Sequence, residues 1–584
     1  MPARWIHSPR VHLAAVLLAC SPLAIVVQTH CADLLTSDGE CYVRMAQHYA
    51  RGEFRQAVFG QWSPLGSLMT APLVAAGMVP RHAFRLMIGL WGALAVLGAW
   101  RLAARFTVGP WMRAGLAACT ALLAIEFSAH HRVDLLVAAV LLLYLDAAMD
   151  PRLLASRRRA LGAGALGALA YLAKFYALPF VLVHFPLVVL ARTWAERGEP
   201  GGPGLRRAAA AWAMGMLGFA LVAAPWAIAL SVRFGRPTLG TTGGDAYASS
   251  LAAAGSMGVR RSRIAGLRRP PEGAHSVWHD SNRLPQRDTE APHSPFRSWA
   301  NLAALLGRTA RNGAKIAGHV ASLDEFRLGL TALALVPVVL VATWRRRTAF
   351  PYLAALLSVG VYCGGYAIVD AREERFFWFV LLLAAVMAFH FAGRVPWALG
   401  RLAPRAGVRQ RRLVAVVVGT AVVVSFAFHP IRFAAVLLRQ PPPGREHRLV
   451  AQRLREMGVG GPLAAIARPD DMAWHQGLHT AYYLDAKYAG QPAAGDPQGI
   501  AAEMRQAGAT ALLVWGAVVD RSQGLGGGGW LDAPIAQWLR AEPAFRLRGV
   551  LRAGSVHGLT RNVAVLELPP ASPPRTGEAG PGVD

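Results

Sequence analysis

Charge is scarce in this chain, and lysine is almost missing. Only 16% of the 584 residues are charged, and lysine occurs only at Lys174, Lys315 and Lys487. A soluble domain carries charge on nearer a quarter of its residues, so the composition excludes an ordinary string of soluble domains. Apolar residues make up 54% of the chain, and many runs reach the ~20 residues that cross a bilayer. The sequence therefore predicts a mainly α-helical, polytopic membrane protein.

Cysteine is also sparse, with five residues and no spacing typical of a disulfide framework or a metal site. Cys20, Cys119 and Cys363 lie inside apolar runs, where packing explains them. Cys31 and Cys41 fall in one segment outside the membrane, where they could pair in an oxidising compartment.

The formal net charge is +28, carried almost wholly by arginine. A basic excess can indicate nucleic-acid binding. Here the arginines are spread over loops between apolar runs, which favours anionic lipid and membrane topology over a nucleic-acid partner.

Eleven apolar runs predict membrane spans, the first of them uncleaved. They cover residues 12–27, 83–104, 111–129, 133–149, 160–176, 177–193, 208–231, 326–344, 349–369, 375–393 and 412–429. Segment 64–79 is apolar but short, which favours a re-entrant or surface helix. The stretch 160–193 predicts a tight hairpin bent near Pro179.

Arginine distribution predicts the orientation. With the N-terminus in the cytoplasm, every short inner loop is arginine-rich and the short outer loops are not, as the positive-inside rule requires. We therefore expect a multi-pass protein of the bacterial inner (plasma) membrane. Its predicted transmembrane domain is 1–435, with outer loops 29–82 and 232–325.

The region 440–568 is less apolar and predicts a small α/β domain on the periplasmic side. Helical patterns cover 446–457 and 497–507, and strand patterns cover 462–467, 509–515 and 562–568. The Pro/Gly-rich tail 569–584 predicts disorder.

The first outer loop opens a helix at Thr36-Ser37-Asp38-Gly39-Glu40. Its apolar residues, Tyr42 among them, share one face, which suits a helix on the membrane surface. Ser37-x-x-Glu40 matches a capping box, and an acid in the first turn suits the helix dipole. The alternative interpretation is that Asp38 is a catalytic carboxylate.

The segment Asp38-x-x-x-Tyr42-x-x-x-Ala46 after a first span resembles the first outer loop of GT-C glycosyltransferases. The pattern is similar to the protein O-mannosyltransferase and aminoarabinose transferase families (glycosyltransferase family 39 type). Further matches follow in chain order: Ser63-Pro64-Leu65, Arg132-Val133-Asp134-Leu135-Leu136, Tyr171-Leu172-Ala173-Lys174, Pro225-Trp226 and Glu374-Arg375-Phe376-Phe377.

The resemblance implies a polyprenyl-phosphate sugar donor and a cell-envelope acceptor, which is a glycan, lipid or protein. It makes Asp38, or Glu40 in second place, the base that removes the acceptor proton. Lys174 and Arg375 would hold the donor phosphate. Asp134, Arg132, Tyr42 and Glu374 would line the substrate site. No metal ligands are assigned, and a requirement for a divalent cation stays open.

Simpler interpretations of the same residues stay open beside these. Lys174 can be a span-end residue whose charge reaches the interface. Arg375 can serve only to pair with Glu373 or Asp370, and Asp134 can orient Arg132 or His131. A metal site at His130, His131 and Asp134 is conceivable. Loop 232–325, with His275, Trp278, His279, Asp280 and His293, reads as a solvated loop, with an acceptor-binding lid as the alternative.

Two other classes of protein compete with the transferase. A transporter or flippase typically shows inverted repeats and charged groups at mid-membrane, and neither is evident here. A non-catalytic envelope assembly protein would use the membrane part only to anchor its C-terminal domain.

Overall fold

The chain forms two compact units, which we describe separately. The computed structural model describes residues 8–197, 204–242, 266–270, 274–276, 278–279, 298–342, 346–369, 371, 373–402, 407–467, 473–518, 533–554, 559 and 561–569. The first unit comprises 1–34, 41–254 and 287–442, and the second comprises 35–40, 255–286 and 443–584. The predicted disordered tail lies outside the described residues from 570 onward.

The first unit is a helical bundle. Its helices are α1 (Pro9–His30), α2 (Ser37–Ala50, whose first residues belong to the second unit), α3 (Leu65–Ala75), α4 (Pro80–Arg105), α5 (Pro110–Ala129), α6 (Asp134–Ala148), α7 (Arg157–Ala173), α8 (Ala177–Glu196), α9 (Leu205–Phe234), α10 (Trp299–Ser322), α11 (Leu328–Ala342), α12 (Arg346–Val369), a 3-10 turn (Glu374–Phe377), α13 (Trp378–Leu402) and α14 (Val408–Arg439).

Each of the eleven predicted spans coincides with one of these helices. In the described part of the chain, eight helices are long and apolar enough to cross a bilayer. The other three predicted spans form α6, α7 and α11, of 15, 17 and 15 residues. The protein is therefore a multi-pass membrane protein, as its composition predicts.

The structure gives the form of the short segment 64–79 and the position of the bend in the 160–193 hairpin. Segment 64–79 contains only the 11-residue α3, too short to span. The bend between α7 and α8 falls at Lys174, whose extended backbone (φ −158°, ψ 128°) ends α7. Placing the bend near Pro179 was wrong because proline is tolerated in the first turn of a helix, where its missing N–H is not needed.

Helix α2 differs from the predicted surface helix. Thr36, not Ser37, caps it: the Gly39 N–H donates to Thr36 Oγ1 at 3.0 Å, and the Glu40 N–H donates to the Thr36 carbonyl at 2.8 Å. The predicted capping box is wrong because threonine can also cap and starts the helix one residue earlier. Arg44 and His48, which lie off the apolar face of α2, are buried as well.

The second unit is a small α/β domain, as predicted. Its elements are α15 (Arg445–Glu456), β1 (Leu463–Ile466), α16 (Ala473–Leu484), β2 (Tyr488–Gly490), α17 (Pro497–Ala507), β3 (Ala511–Trp515), α18 (Ile535–Ala541), β4 (Arg546–Leu551) and β5 (Val563–Glu567). The strands form one sheet in the order β2-β1-β3-β5-β4. Strand β1 pairs in parallel with β2 and β3, whereas β5 runs antiparallel to β3 and β4.

Both faces of this sheet are covered. Along β3, Leu513 and Trp515 join a core with residues of α15 and α16, whereas Leu512 and Val514 join a core with residues of α17 and α18. Because both of its faces are buried, β3 (ALLVW) appears in the sequence as a continuous apolar run rather than an alternating one.

Part of loop 232–325 completes the β2 edge of the sheet. The N–H groups of Gly266 and Arg268 donate to the carbonyls of Gln491 and Ala489 at 3.0 and 2.9 Å. The Tyr488 N–H donates to the His275 carbonyl at 2.7 Å. For these residues the solvated-loop interpretation is wrong, because their backbone groups bond to a strand edge. Asp280 and His293 lie outside the described residues.

All five cysteines are described, and none forms a disulfide.

Glycine residues allow two helices of the bundle, α7 and α9, to approach each other closely. A Cβ on Gly164 of α7 would lie 1.7 Å from the carbonyl oxygen of Gly215 of α9, and one on Gly218 would lie 2.1 Å from that of Leu161. Small residues let helix backbones approach closely, which stabilises helix pairs in a bilayer.

We expect Gly164→Ala to destabilise the protein and Gly162→Ala not to. A Cβ at Gly162 meets nothing within 4 Å, and alanine favours a helix over glycine by about 1 kcal/mol. At Gly164 the same methyl group collides with the α9 backbone, which outweighs that gain. Thermal unfolding in detergent, followed by size-exclusion chromatography, should give a lower melting temperature for Gly164→Ala alone. Equal melting temperatures would contradict the close α7–α9 approach.

Candidate donor-phosphate site and a buried acid cluster

Three chain segments meet at one end of the first unit's bundle. They are the start of α6, the end of α7 and the 3-10 turn before α13. His131 has φ 55°, a conformation uncommon outside glycine, and it allows the sharp turn between α5 and α6. The extended backbone at Lys174 likewise ends α7 at this point. Local backbone geometry therefore brings distant parts of the sequence together.

A buried carboxylate lies at the centre of this site. Asp134, whose side chain is 4% exposed, forms an ion pair with Lys174 Nζ through Oδ1. Its Oδ2 accepts a hydrogen bond from Arg375 Nη1 at 3.1 Å. Removing a carboxylate from water is costly unless it is paired, and here two cations pair with it. Asp134 therefore fixes the positions of Lys174 and Arg375.

A second carboxylate extends the cluster. Glu373 accepts from Arg375 Nε at 2.6 Å and Nη2 at 3.2 Å, and from Arg132 Nη1 at 2.7 Å. Burial raises the pKa of Glu373, but the hydrogen bonds and charge of Arg375, with the charge of Arg132, outweigh it and hold that pKa below its ordinary value. Three cations and two carboxylates leave one excess positive charge.

An aromatic ring adjoins the cations. Lys174 Nζ lies 4.1 Å from the centroid of the Phe376 ring, and the Arg375 guanidinium carbon lies 5.2 Å from it. The Tyr366 ring stacks on Phe376 at 5.2 Å. Lys174 and Arg375 stay partly accessible, at 24% and 14% exposure, so the site is held in shape without being closed.

Two predicted substrate residues lie apart from these contacts. Glu374 Oε2 accepts from Ser322 Oγ at 3.0 Å, although its neighbours Glu373 and Arg375 belong to the cluster. Tyr42 is 5% exposed, and its ring packs edge-on against Trp62 and stacks with Phe84. Both have structural contacts that account for their positions.

The opposite end of α6 carries a comparable ion-pair network. Asp146 is buried and pairs with Arg101 at 2.8 Å and Arg105 at 2.7 Å. Asp150 pairs with Arg105 and Arg159 at 3.2 and 3.1 Å. About 18 Å of helix separates the acids at positions 134 and 146. These arginines fall in loops that the charge pattern predicts to be cytoplasmic.

The two acids predicted to be catalytic belong to the second unit. Asp38 lies in the first turn of α2 and is half-buried. Glu40 is 1% exposed and lies 3.5 Å from His279 Nε2 and 3.5 Å from His479 Nδ1. His279 and His479 are themselves buried, so Glu40 sits in an enclosed pocket of imidazoles.

Burial alone would raise the pKa of Glu40. The contacts and charges of His279 and His479 act the other way and lower that pKa to about 2. Each imidazole has a ring nitrogen 3.5 Å from a carboxylate oxygen of Glu40. Its low pKa therefore depends on both imidazoles.

Among the described residues, no group of three or more His, Cys, Asp or Glu side chains is placed to hold a metal ion. The His130, His131 and Asp134 combination is not such a group. Asp134 is instead committed to Lys174 and Arg375.

The sequence predicts Lys174, Arg375, Asp134 and Arg132, and it offers Glu373 as a partner of Arg375. Glu373 precedes Arg375 by two residues, close enough to pair with it. The contact of the Phe376 ring with the cations, and those of His279 and His479 with Glu40, are recognisable only from tertiary structure. Nothing in the local sequence links His279 or His479 to Glu40.

A helical membrane bundle with a small C-terminal α/β domain is the architecture that the sequence resemblance predicts, and two solved crystal structures share this fold. The chain is similar to ArnT from Cupriavidus metallidurans in two crystal structures. The apo structure matches with a TM-score of 0.51 and 14% identity over 96% of this chain and 98% of that chain. The structure bound to undecaprenyl phosphate matches with a TM-score of 0.51 and 14% identity over 100% of both chains.

The Archaeoglobus fulgidus oligosaccharyltransferase in its apo form also matches, with a TM-score of 0.49 and 10% identity over 86% of this chain and 69% of that chain. No protein-family model matches the sequence, and no curated protein matches it. The similarity to known proteins is therefore a similarity of fold, carried by the two ArnT structures.

We expect Glu40→Gln to reduce the stability of the second unit at neutral pH but not in strong acid. A pKa lowered from 4.5 to about 2 on folding stabilises the folded state above pH 4.5. This contribution, on the order of 3 kcal/mol, is lost as the pH falls from about 4.5 to 2. The difference in unfolding free energy between wild type and Glu40→Gln should shrink over that range.

Glu456→Gln provides the control for this experiment. Glu456 pairs with Arg453 at the surface, both about half exposed, so its loss should matter little at any pH. A Glu40→Gln effect that is the same at pH 7 and pH 3 would contradict an ionised Glu40 in the folded protein.

Proposed function

We propose that this protein is an integral-membrane glycosyltransferase that transfers a hexose or pentose from a polyprenyl-phosphate carrier to an envelope acceptor. The acceptor is a glycan, lipid or protein on the periplasmic face of the bacterial inner membrane. The cluster of Arg132, Lys174 and Arg375 carries this proposal. The fold it shares with ArnT, which has been crystallised with undecaprenyl phosphate, supports it.

Charge favours a phosphate ligand at this cluster. A polyprenyl-phosphate sugar carries one negative charge on its phosphodiester, and the released carrier monophosphate gains another at neutral pH. Fixed cations that meet growing charge stabilise the transition state more than the ground state. Lys174 and Arg375 are held in place by carboxylates that leave one positive charge in excess, so little reorganisation is needed.

The transfer step needs no cofactor to balance. The acceptor hydroxyl oxygen attacks the anomeric carbon, and the bond from that carbon to the phosphate oxygen breaks. The phosphate leaves with the bonding electron pair, and the hydroxyl proton passes to a carboxylate base. A single displacement of this kind inverts the anomeric configuration.

We assign the base to Asp38 rather than Glu40. Glu40 is enclosed with His279 and His479 and is 1% exposed, so an acceptor could reach it only after this pocket opened. Asp38, in the first turn of α2, is only half-buried, so part of the residue is accessible in the structure as it stands.

Loss of either phosphate-binding cation should weaken donor use. We expect Lys174→Gln and Arg375→Gln each to reduce binding of undecaprenyl phosphate to the purified protein by about tenfold or more, because each removes a hydrogen bond to a charged group. Arg101→Gln is the matched control, since it also removes a cation paired with a buried acid of α6. Equal effects of all three variants would contradict a phosphate site at Lys174 and Arg375.

Asp38→Asn should abolish transfer while the protein still inserts in the membrane. The assay is release of carrier phosphate from a panel of polyprenyl-phosphate sugars incubated with purified protein and envelope acceptors. Asp33→Asn, five residues upstream, is the control; Asp33 lies 3.8 Å from Arg81, and its loss should leave turnover intact.

Full turnover by Asp38→Asn would remove Asp38 from the mechanism. If the wild-type protein moved these lipids between leaflets without releasing phosphate, the flippase alternative would replace the transferase.

A further inference from the structure

Helix α10 is long but is not among the apolar spans of the described chain. It has 24 residues, Trp299–Ser322, with the sequence WANLAALLGRTARNGAKIAGHVAS. That sequence contains no acidic residue. Its residues divide between a side packed on the bundle and sides open to the surroundings.

The packed side fixes α10 at the rim of the bundle. Asn312 Nδ2 donates to the Ala367 carbonyl at 2.8 Å, and the His319 ring contacts the Ala371 carbonyl at 3.0 Å. Ser322 Oγ donates to Glu374 at 3.0 Å. These partners lie where α12 ends and the next span begins, so the second half of α10 lies at the level where the spans leave the bilayer.

An apolar stripe on α10 is exposed. Trp299 is 85% exposed and Leu306 is 61% exposed. Spacings of four, three, four and four residues place Trp299, Ala303, Leu306, Ala310 and Ala314 along one side, and all are exposed. Tryptophan is typical of membrane–water interfaces.

Exposed cations lie on the same helix. Arg311 and Lys315 are both exposed, and Lys315 is one of only three lysines in the chain. An apolar stripe combined with cations and no acids is typical of a helix lying in the interface of an anionic bilayer. This charge complementarity favours lipid over an undefined protein partner.

We propose that α10 lies flat in the interface of an anionic phospholipid bilayer, with Trp299 and Leu306 inserted among the acyl chains and Arg311 and Lys315 at the phosphates. The helix thereby holds the Glu373–Phe376 segment, and with it Arg375, at headgroup depth. This surface is distinct from the phosphate cluster and does not depend on the chain being a transferase.

The depth of α10 can be measured directly. The full chain carrying Leu306→Cys or Ala304→Cys is labelled with an environment-sensitive fluorophore and reconstituted in vesicles of phosphatidylglycerol and phosphatidylcholine. The two positions lie roughly 200° apart around the helix and are both exposed. The unsubstituted chain, labelled in parallel, gives the background from its native cysteines.

We expect the Leu306 label to be blue-shifted and quenched by doxyl-labelled lipid, and the Ala304 label to remain in water. Arg311→Gln should reduce the ratio of lipid-inserted to water-exposed Leu306 label about fivefold in vesicles that contain phosphatidylglycerol. It should leave that ratio unchanged in phosphatidylcholine alone. These measurements need no donor and no turnover, so they are independent of the transferase assay.

Two results would overturn this proposal. One is a Leu306 label as exposed to water as the Ala304 label in both vesicle types. The other is energy transfer between Leu306 labels on two chains without lipid quenching, which would assign the stripe to a second copy of the protein.

Discussion

The buried carboxylate of Asp134 is the constraint on which the first unit's site depends. It can stay ionised at 4% exposure only because Lys174 and Arg375 pair with it. Those cations come from segments 40 and 241 residues away in the sequence. One charge therefore ties together three helix ends, and the cost of leaving it unpaired holds the arrangement in place.

The second unit also contains a buried acid, Glu40, but the groups around it differ. Glu40 is as deeply buried as Asp134, but its neighbours are imidazoles rather than permanent cations. The burial of Glu40 is therefore accompanied by two 3.5 Å imidazole contacts, whereas Asp134 is bonded to lysine and arginine.

Much of the fold follows from the sequence because long apolar runs and arginine-rich loops are strong local signals. The runs at 83–104 and 208–231 became α4 and α9, and the strand pattern at 509–515 became β3. Local patterns did not show which of two neighbouring residues would begin or end a helix. Thr36 displaced Ser37 as the cap of α2, and the backbone at Lys174 ended α7 before Pro179.

The candidate site shows the same division. Lys174, Arg375, Asp134 and Arg132 were predicted, since each ionisable group at a span end is unusual enough to be noticed. The contact of Glu373 with Arg132 and that of the Phe376 ring with Lys174 depend on how α6, α7 and the segment before α13 pack. The position of His279 could not be predicted, because its loop looks solvated in the sequence. Only the tertiary structure shows that the neighbouring His275 bonds to the β2 edge.

That strand edge has a consequence for biosynthesis. Gly266, Arg268 and His275 bond to the chain at the β2 edge, and the Leu267 N–H donates to the Glu503 carboxylate 236 positions later in the chain. The ribosome makes this early piece long before it makes the strand it completes. Until translation passes Glu503, its backbone groups have no sheet to join, and the sheet's closure is one of the last and most non-local steps in folding.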